Sequence, residues 1–131
     1  MEPAIGLEPM IGIEMEAYIF QRGPDGGWVP YDTPGAFVYG TGPFSDPAGL
    51  IEDIWVCADE CNLPIESINT EYDAPQFELT LRFADALKAV DDAFLFRQMA
   101  REILYKRGYL LSFLPKPFAD KAGSGLHFNI S

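Results

Sequence analysis

Four glutamates lie in segments that alternate between apolar and polar residues, a pattern typical of β-strands. Glu14 and Glu16 are two residues apart, so their side chains leave one face of the same strand about 7 Å apart. Glu71 and Glu78 flank a short turn, and antiparallel pairing of the flanking strands would bring them together. Converging carboxylates repel one another unless a cation compensates them, and hard divalent cations prefer oxygen ligands. The pattern therefore indicates a site for Mg²⁺ or Mn²⁺.

The end of the chain adds three polar side chains on one strand face. A glycine-containing turn at residues 123–125 precedes a predicted strand, residues 126–131, in which His127, Asn129 and Ser131 share a face. Such groups can hold a metal or a phosphate. Alternation alone favours a simpler interpretation, a solvated polar strand face and an ordinary hydrogen-bonded histidine. The order and spacing of the whole set favour a functional site.

Composition limits the class of protein. The chain has 131 residues, of which 48% are hydrophobic and 14% aromatic, so we expect one globular domain with a substantial core. Its net charge of −11 disfavours nucleic acid or an anionic membrane as a partner. Neither a run of eighteen apolar residues nor a signal-peptide pattern is visible. Cys57 and Cys61 are interpreted as helix-packing residues in a reducing compartment, and the sequence predicts a soluble, cytoplasmic protein.

Hydrophobic periodicity predicts strands, helices and turns around these residues. The predicted strands cover residues 11–20, 65–72, 76–83, 109–115 and 126–131, and the predicted helices cover residues 46–62 and 84–107. Residues 1–10 are interpreted as a lead-in segment, and residues 21–45, rich in glycine, proline and aromatics, as a long loop or hairpin. This order predicts an α+β fold in which two main helices pack on a largely antiparallel, curved sheet.

Several apolar residues are predicted to face the core. One strand places Phe77, Leu79, Leu81 and Phe83 on one face. In the first helix, Asp46 is the predicted N-cap, Pro47 lies in the first turn, and the apolar stripe comprises Leu50, Ile51, Ile54, Trp55, Ala58 and Cys61. In the second helix the predicted apolar side comprises Leu87, Val90, Phe94, Met99, Ile103 and Leu104.

From residue 11 to residue 131 the chain resembles the amino-terminal part of the catalytic domain of glutamine synthetase. The resemblance rests on Gly-Ile-Glu-Met-Glu at 12–16, Glu71 with Gln-Phe-Glu at 76–78, Phe-Leu-Pro-Lys-Pro at 113–117, and Gly-Ser-Gly-Leu-His at 123–127 with Asn129 and Ser131. Each segment is a weak signal alone, but the four in the family's order are specific. The resemblance implies a partial catalytic domain, residues 11–131, that is incomplete.

The family holds two divalent metal ions, Mg²⁺ or Mn²⁺, between its carboxylates. The resemblance implies that Glu16, Glu71 and Glu78 are ligands of the first ion. It implies that Glu14 and His127 are ligands of the second, ATP-side ion, whose third ligand in the family is a glutamate far downstream of the region present here.

The resemblance also implies contacts with ATP and substrate. Glu66, Asn129 and Ser131 fall where the family contacts ATP, and Gly123 matches a glycine whose backbone helps to bind glutamate. Glu66 has the opposite strand parity to Glu71, so its contact requires either a bulge or the main chain.

Phe83 matches a position near the nucleotide, although alternation equally fits a core position. Ala122 replaces the family's usual asparagine, and Asn129 replaces a common histidine. These departures leave the identity of the substrate open.

The implied activity is ATP-dependent synthesis of glutamine from glutamate and ammonia through γ-glutamyl phosphate. Two alternatives stay open: a γ-glutamyl ligase that uses an organic amine or polyamine, and a non-catalytic relative with a structural or regulatory role. The five retained ligands argue against the latter. The resemblance implies a ring-shaped homo-oligomer for the full-length form. We expect no ligase turnover from these 131 residues, because the family's phosphate-binding arginines, flap glutamate and small amino-terminal domain lie outside them.

Overall fold

The computed structural model describes residues 6–131 and contains two helices and six strands among them. The elements are β1 (Met10–Arg22), β2 (Trp28–Pro30), α1 (Leu50–Glu60), β3 (Ile65–Thr70), β4 (Gln76–Asp85), α2 (Ala86–Lys106), β5 (Leu110–Ser112) and β6 (Leu126–Ile130). The first five residues of the predicted lead-in lie outside the described residues, and Met10 already belongs to β1.

The sheet is built around β1, and every pairing in it is antiparallel. β4 pairs with residues 10–18 of β1 and carries β3 on its far edge. The opposite edge of β1 pairs with β6 over residues 11–15 and with β5 over residues 18–20. β2, in the segment predicted as a loop or hairpin, pairs with residues 20–22 of β1. The expected α+β fold with a largely antiparallel sheet is confirmed.

The hydrophobic core lies between the helices and one face of the sheet. Alternation along β1 buries Ile13, Met15, Ala17 and Ile19, each at most 2% exposed. Residues of β4 and both helices complete this core; they include Phe77, Leu79, Leu81, Leu50, Ile54, Ala58, Phe96, Ala100 and Leu104. Because successive strand side chains point to opposite faces, Glu14, Glu16 and Glu78 project from the other face of the sheet.

The predicted start of the first helix is wrong. α1 begins at Leu50, and its N-cap is Gly49 in a left-handed conformation, with φ of 69°. A turn closed by the Gly49 amide and the Asp46 carbonyl, 3.2 Å apart, separates the predicted cap from the helix. The Asp46 side chain nevertheless satisfies a first-turn donor, because its Oδ2 accepts from the Ile51 amide at 2.7 Å.

The predicted apolar sides of both helices are wrong in part. Trp55 and Cys61 are exposed in α1 and its C-cap. In α2, Leu87, Val90 and Phe94 are 80%, 49% and 72% exposed. Of the predicted set, Leu104 is buried, and Met99 and Ile103 pack partly buried against the core. The other buried residues of α2 are Ala89, Asp92, Ala93, Phe96 and Ala100. The small side chains among them allow the helix backbone to lie close to the sheet.

Neither helix in the described part of the chain is long and apolar enough to cross a membrane. Cys57 and Cys61 are free thiols, the first partly buried and the second exposed.

Candidate metal centre

The strand register brings the four glutamates to one end of the outer sheet face. Glu16 of β1 lies opposite Glu78 of β4, and Glu14 lies two positions along β1 opposite Thr80. Glu71 follows the end of β3, where its amide donates to the Gln76 carbonyl at 2.8 Å and closes the turn into β4. All four carboxylates are half-buried. The pairing therefore does what the spacing predicts and converges them.

These residues form two groups that could each hold a metal ion. One ligand atom from each of Glu16, Glu71 and Glu78 lies within 4.8 Å of the other two, and the same limit holds for Glu14, Glu78 and His127. Donor atoms around one Mg²⁺ or Mn²⁺ ion lie up to roughly 4 Å apart, so small side-chain rotations would close either group. Glu78 belongs to both groups, whereas the family resemblance implied that it binds the first ion alone.

The electrostatics of the cluster fit a cation. Burial raises the pKa of the Glu78 carboxyl above its ordinary value, and the negative charges of Glu71, Glu14 and Glu16 raise it further, while His127 opposes this effect. Among the described residues, the salt-bridge partner of these glutamates is His127; no lysine or arginine lies within that distance. The negative charge of the four carboxylates is therefore not compensated by lysine or arginine. A Mg²⁺ or Mn²⁺ ion bound by these carboxylates and the imidazole would neutralise it.

β6 places its polar face directly over Glu14. His127 lies opposite Glu14 in the β1–β6 register, and its Nδ1 is 3.2 Å from Glu14 Oε2. Asn129 Nδ2 donates to Glu14 Oε1 at 2.9 Å. Asn129, which the sequence placed at the nucleotide, therefore also holds a candidate metal ligand.

Glu16 is oriented by two donors that the sequence did not single out. Its Oε2 accepts from the Gly125 amide at 2.8 Å and from Gln76 Nε2 at 3.1 Å. Its Oε1 lies 4.0 Å from His127 Nε2. The signal for Gln76 was present in the alternation, which puts a neutral amide on the glutamate face of β4. The signal for Gly125 was absent, since the contact depends on how the loop before β6 folds back.

A side chain at Gly125 would displace two candidate ligands. A Cβ at this position would lie 2.5 Å from His127 Nε2 and 3.1 Å from Glu16 Oε1. The backbone before β6 therefore approaches both candidate ligands closely, and this approach requires glycine.

The three predicted ATP contacts come together in a cavity of about 240 Å³ beside Glu14. Glu66, Asn129 and Ser131 line it, together with Phe83 and Gly12. This places the predicted nucleotide contacts next to the group of ligands assigned to the ATP-side ion.

Two β-bulges border this cavity. The β3–β4 register shifts between Ile65 and Ser67, so Glu66 is the extra residue that the parity argument required. The β1–β4 register shifts between Ile11 and Ile13, where Arg82 and Phe83 together oppose Gly12. This second bulge reverses the alternation of β4. Phe83 is therefore 68% exposed, and its predicted core position with Phe77, Leu79 and Leu81 is wrong.

Gly123 lies in the exposed loop before β6, and the structure links it to the glutamates through one side chain. Its carbonyl accepts from Gln76 Nε2 at 3.0 Å, the same nitrogen that donates to Glu16. The predicted substrate glycine and a candidate ligand of the first ion thus share a hydrogen-bonding partner.

Comparison with known proteins identifies the family. The family model described as glutamine synthetase, catalytic domain, matches residues 3–131. The chain therefore belongs to the glutamine synthetase catalytic-domain family, whose fold its α+β architecture shares.

Individual relatives include two synthetases of different specificity. The chain is 30% identical over 122 residues to a glutamine synthetase of Methanocaldococcus jannaschii, covering 92% of this chain and 26% of that protein. It is 31% identical over 136 residues to gamma-glutamylputrescine synthetase PuuA of Escherichia coli, covering 96% and 29%. Among solved structures, a GmaS/ADP complex matches with a TM-score of 0.78 at 28% identity, covering 95% of this chain and 29% of that one. The chain spans 26–29% of the length of these three proteins.

Proposed function

We propose that this chain is part of an ATP-dependent ligase that forms glutamine from glutamate and ammonia through γ-glutamyl phosphate. The observation that carries the proposal is the pair of ligand groups that share Glu78, on the strands of a glutamine synthetase catalytic domain. A solvated polar strand face would not require carboxylates to converge within ligand distance across three separate segments.

The residues present fit two divalent ions, Mg²⁺ or Mn²⁺. Glu16, Glu71 and Glu78 would hold the first, and Glu14 and His127, with Glu78, would hold the second. When bound, the ions would neutralise negative charge on the phosphoryl group that passes from ATP to the γ-carboxylate of glutamate. The protein holds the carboxylates close together by cross-strand pairing. They therefore repel one another in the metal-free chain, and a bound ion would relieve this repulsion.

The cavity beside Glu14 is the proposed site for ATP. Its lining combines the Phe83 ring with the polar groups of Glu66, Asn129 and Ser131. An aromatic face beside hydrogen-bonding groups suits a nucleotide. The match to a GmaS chain solved as an ADP complex supports the same assignment. We propose that the backbone at Gly123 contacts glutamate, since that loop lies next to Glu16 through Gln76.

A second candidate acceptor is an organic amine or polyamine in place of ammonia. The match to gamma-glutamylputrescine synthetase, at 31% identity, favours this alternative, as do Ala122 and Asn129 at positions where the family usually has asparagine and histidine. Ammonium and protonated amines would both be attracted to the acidic cluster, so charge does not separate them. Measuring the activity of the full-length protein with ammonium, methylamine and putrescine would distinguish the two kinds of acceptor. Turnover with ammonium alone would exclude the amine alternative.

The direct test of the metal site is calorimetric titration of the 131-residue chain with MnCl₂. We expect two ions per chain, one for each ligand group. We expect no ligase turnover, because the chain spans 26–29% of the length of the relatives described above. Absence of Mn²⁺ binding would favour the non-catalytic alternative, a family member with a structural or regulatory role. ADP formation that depends on both glutamate and an amine would contradict the expected inactivity.

We further propose that the full-length protein is cytoplasmic and assembles as a ring-shaped homo-oligomer. The support for this proposal is membership of the glutamine synthetase catalytic-domain family, whose model matches residues 3–131. Light scattering coupled to size-exclusion chromatography of the full-length protein would test the assembly.

A further inference from the structure

We infer that Gln76 is a positioning residue that aims Glu16 at the first metal ion and links that ion to the substrate loop carrying Gly123. The inference rests on the proposed two-metal function and adds a residue to it. Gln76 is 1% exposed, so its amide is withdrawn from water and must be satisfied within the protein.

Both hydrogens of the Gln76 amide have acceptors on opposite sides of the site. Nε2 donates to Glu16 Oε2 at 3.1 Å and to the Gly123 carbonyl at 3.0 Å, with Ser124 Oγ at 3.4 Å as a further neighbour. A primary amide has two N–H groups, so these contacts use its full donor capacity. A side chain without donors at this position would leave both acceptors without this partner.

The contact determines which oxygen of Glu16 is free. Oε2 already accepts from Gln76 and, at 2.8 Å, from the Gly125 amide. Oε1 makes no comparable hydrogen bond among the described residues, so it is the oxygen left for the ion that Glu71 and Glu78 would also hold. Glu16 is therefore held for single-oxygen coordination through Oε1. Partners that orient a ligand in this way typically change metal affinity about 10–100-fold when they are removed.

The loop before β6 is attached to the turn between Glu71 and Glu78 at several points. Lys121 Nζ donates to the Ala74 carbonyl at 2.7 Å, and the Ala122 amide donates to Asp73 Oδ2. Gln76 differs from these contacts because its Nε2 donates both to the Gly123 carbonyl of the loop and to Glu16, a candidate metal ligand.

This arrangement makes metal binding and loop position interdependent. An ion that fixes Glu16 also fixes the hydrogen-bonding partner of Gly123. By thermodynamic linkage, any preference of the ion for one loop position is matched by an equal effect of that loop position on the affinity for the ion.

The test compares Gln76→Met with Tyr18→Phe in the 131-residue chain. Methionine keeps the length and apolar volume of glutamine but removes the donors. Tyr18→Phe removes a different bond to the same loop, from the Tyr18 hydroxyl to the Ala122 carbonyl at 2.8 Å, and this hydroxyl makes no hydrogen bond to a carboxylate ligand. In a MnCl₂ titration we expect Gln76→Met to weaken one of two sites by about 10–100-fold and Tyr18→Phe to leave both unchanged.

Hydrogen exchange of the peptide covering residues 122–126 provides a readout that a purely structural role would not move. In the parent chain and in Tyr18→Phe, Mn²⁺ should slow exchange of this loop. In Gln76→Met the slowing by Mn²⁺ should be smaller than in the parent chain, because the Gln76 link is lost while the Gly125 amide still donates to Glu16. Unchanged Mn²⁺ affinity, or a Mn²⁺ effect on exchange as large in Gln76→Met as in the parent chain, overturns the inference.

Three further outcomes bear on the inference. If Gln76→Met does not fold by circular dichroism, Gln76→Asn replaces it, since asparagine keeps a buried amide but withdraws it from Glu16. The same expectations and contradictions apply to it. If the parent chain binds no Mn²⁺, the proposed metal function fails and the inference fails with it. If the parent chain binds Mn²⁺ normally and the Gln76 variants do too, the inference alone fails.

Discussion

Glu16 of β1 and Glu78 of β4 face each other directly across an antiparallel pair. Like charges in this position destabilise a sheet, and here the pair also lies beside Glu71 and Glu14. The fold therefore places its charges at a cost to its own stability. Such a cost is typical of a site where a ligand supplies the missing charge, and it makes the stability of the metal-free chain depend on pH and on divalent ions.

Replacing Glu78 by glutamine should stabilise the metal-free chain at neutral pH. The folded-state pKa of Glu78 is raised, mainly by burial and then by its acidic neighbours. Its contribution to stability is therefore fully present below about pH 4.3, the ordinary pKa of glutamate, and is lost as the pH rises through the folded-state pKa. Thermal unfolding in EDTA between pH 4 and pH 8 should show a smaller decline with pH in Glu78→Gln.

The control for this prediction is Glu66→Gln, which removes an equal charge from an exposed position on the same sheet face. It accounts for the general effect of reducing a net charge of −11. A decline with pH that is the same in Glu66→Gln and Glu78→Gln would contradict the role given to Glu78.

The two ligand groups predict different effects of three substitutions on metal binding. Glu71→Gln should weaken one Mn²⁺ site, His127→Ala should weaken the other, and Glu78→Gln should weaken both, because Glu78 is in both groups. Each loss should reach at least the roughly 10–100-fold that removal of a ligand's outer partner costs. Calorimetry with MnCl₂ separates the sites, and Glu60→Gln, exposed at the end of α1, is the control. Equal effects of Glu71→Gln and His127→Ala on both sites would argue for a single merged site.

Alanine at position 125 should disrupt metal binding without unfolding the domain. Its Cβ would lie 2.5 Å from His127 Nε2 and 3.1 Å from Glu16 Oε1, so the ring and the carboxylate must move. We expect at least a tenfold loss of Mn²⁺ affinity with a near-native circular dichroism spectrum. Gly12→Ala is the matched control on the same sheet face, since its Cβ would meet ordinary contacts at 3.8 and 3.9 Å. Normal Mn²⁺ affinity in Gly125→Ala would show that the ligands tolerate the displacement.

The convergence of the four glutamates could be predicted from alternation and one short turn, whereas their assignment as metal ligands came from the family resemblance, since alternation alone favoured a solvated polar face. Glu14 and Glu16 are two apart on β1, and Glu71 and Glu78 flank one turn, so short-range pairing is enough to converge them. The sharing of Glu78 between two groups was not predictable in this way. It depends on the register of β6 against β1, which places His127 opposite Glu14.

The errors in the fold have two physical sources. The bulge opposite Gly12 inverts the parity of β4, so a rule with a period of two fails for Phe83. In α2, the stripe of Leu87, Val90 and Phe94 is more hydrophobic than the alanine-containing stripe that faces the sheet. Periodicity identifies an amphipathic helix, but it does not determine which of two neighbouring apolar stripes packs against the sheet.

The bulge in β4 predicts that two phenylalanines on one strand contribute very differently to stability. Phe77 is 3% exposed in the core, whereas Phe83 is 68% exposed beside the nucleotide cavity. Phe77→Ala should lower the free energy of unfolding by about 3–5 kcal/mol, the usual cost of truncating a buried aromatic residue. Phe83→Ala should lower it by less than about 1 kcal/mol, since an exposed ring gives up little buried area. Urea unfolding of the metal-free chain measures both on the same scale. A loss in Phe83→Ala as large as that in Phe77→Ala would mean that the ring lies in the core and that the alternation of β4 continues past Leu81 without a bulge.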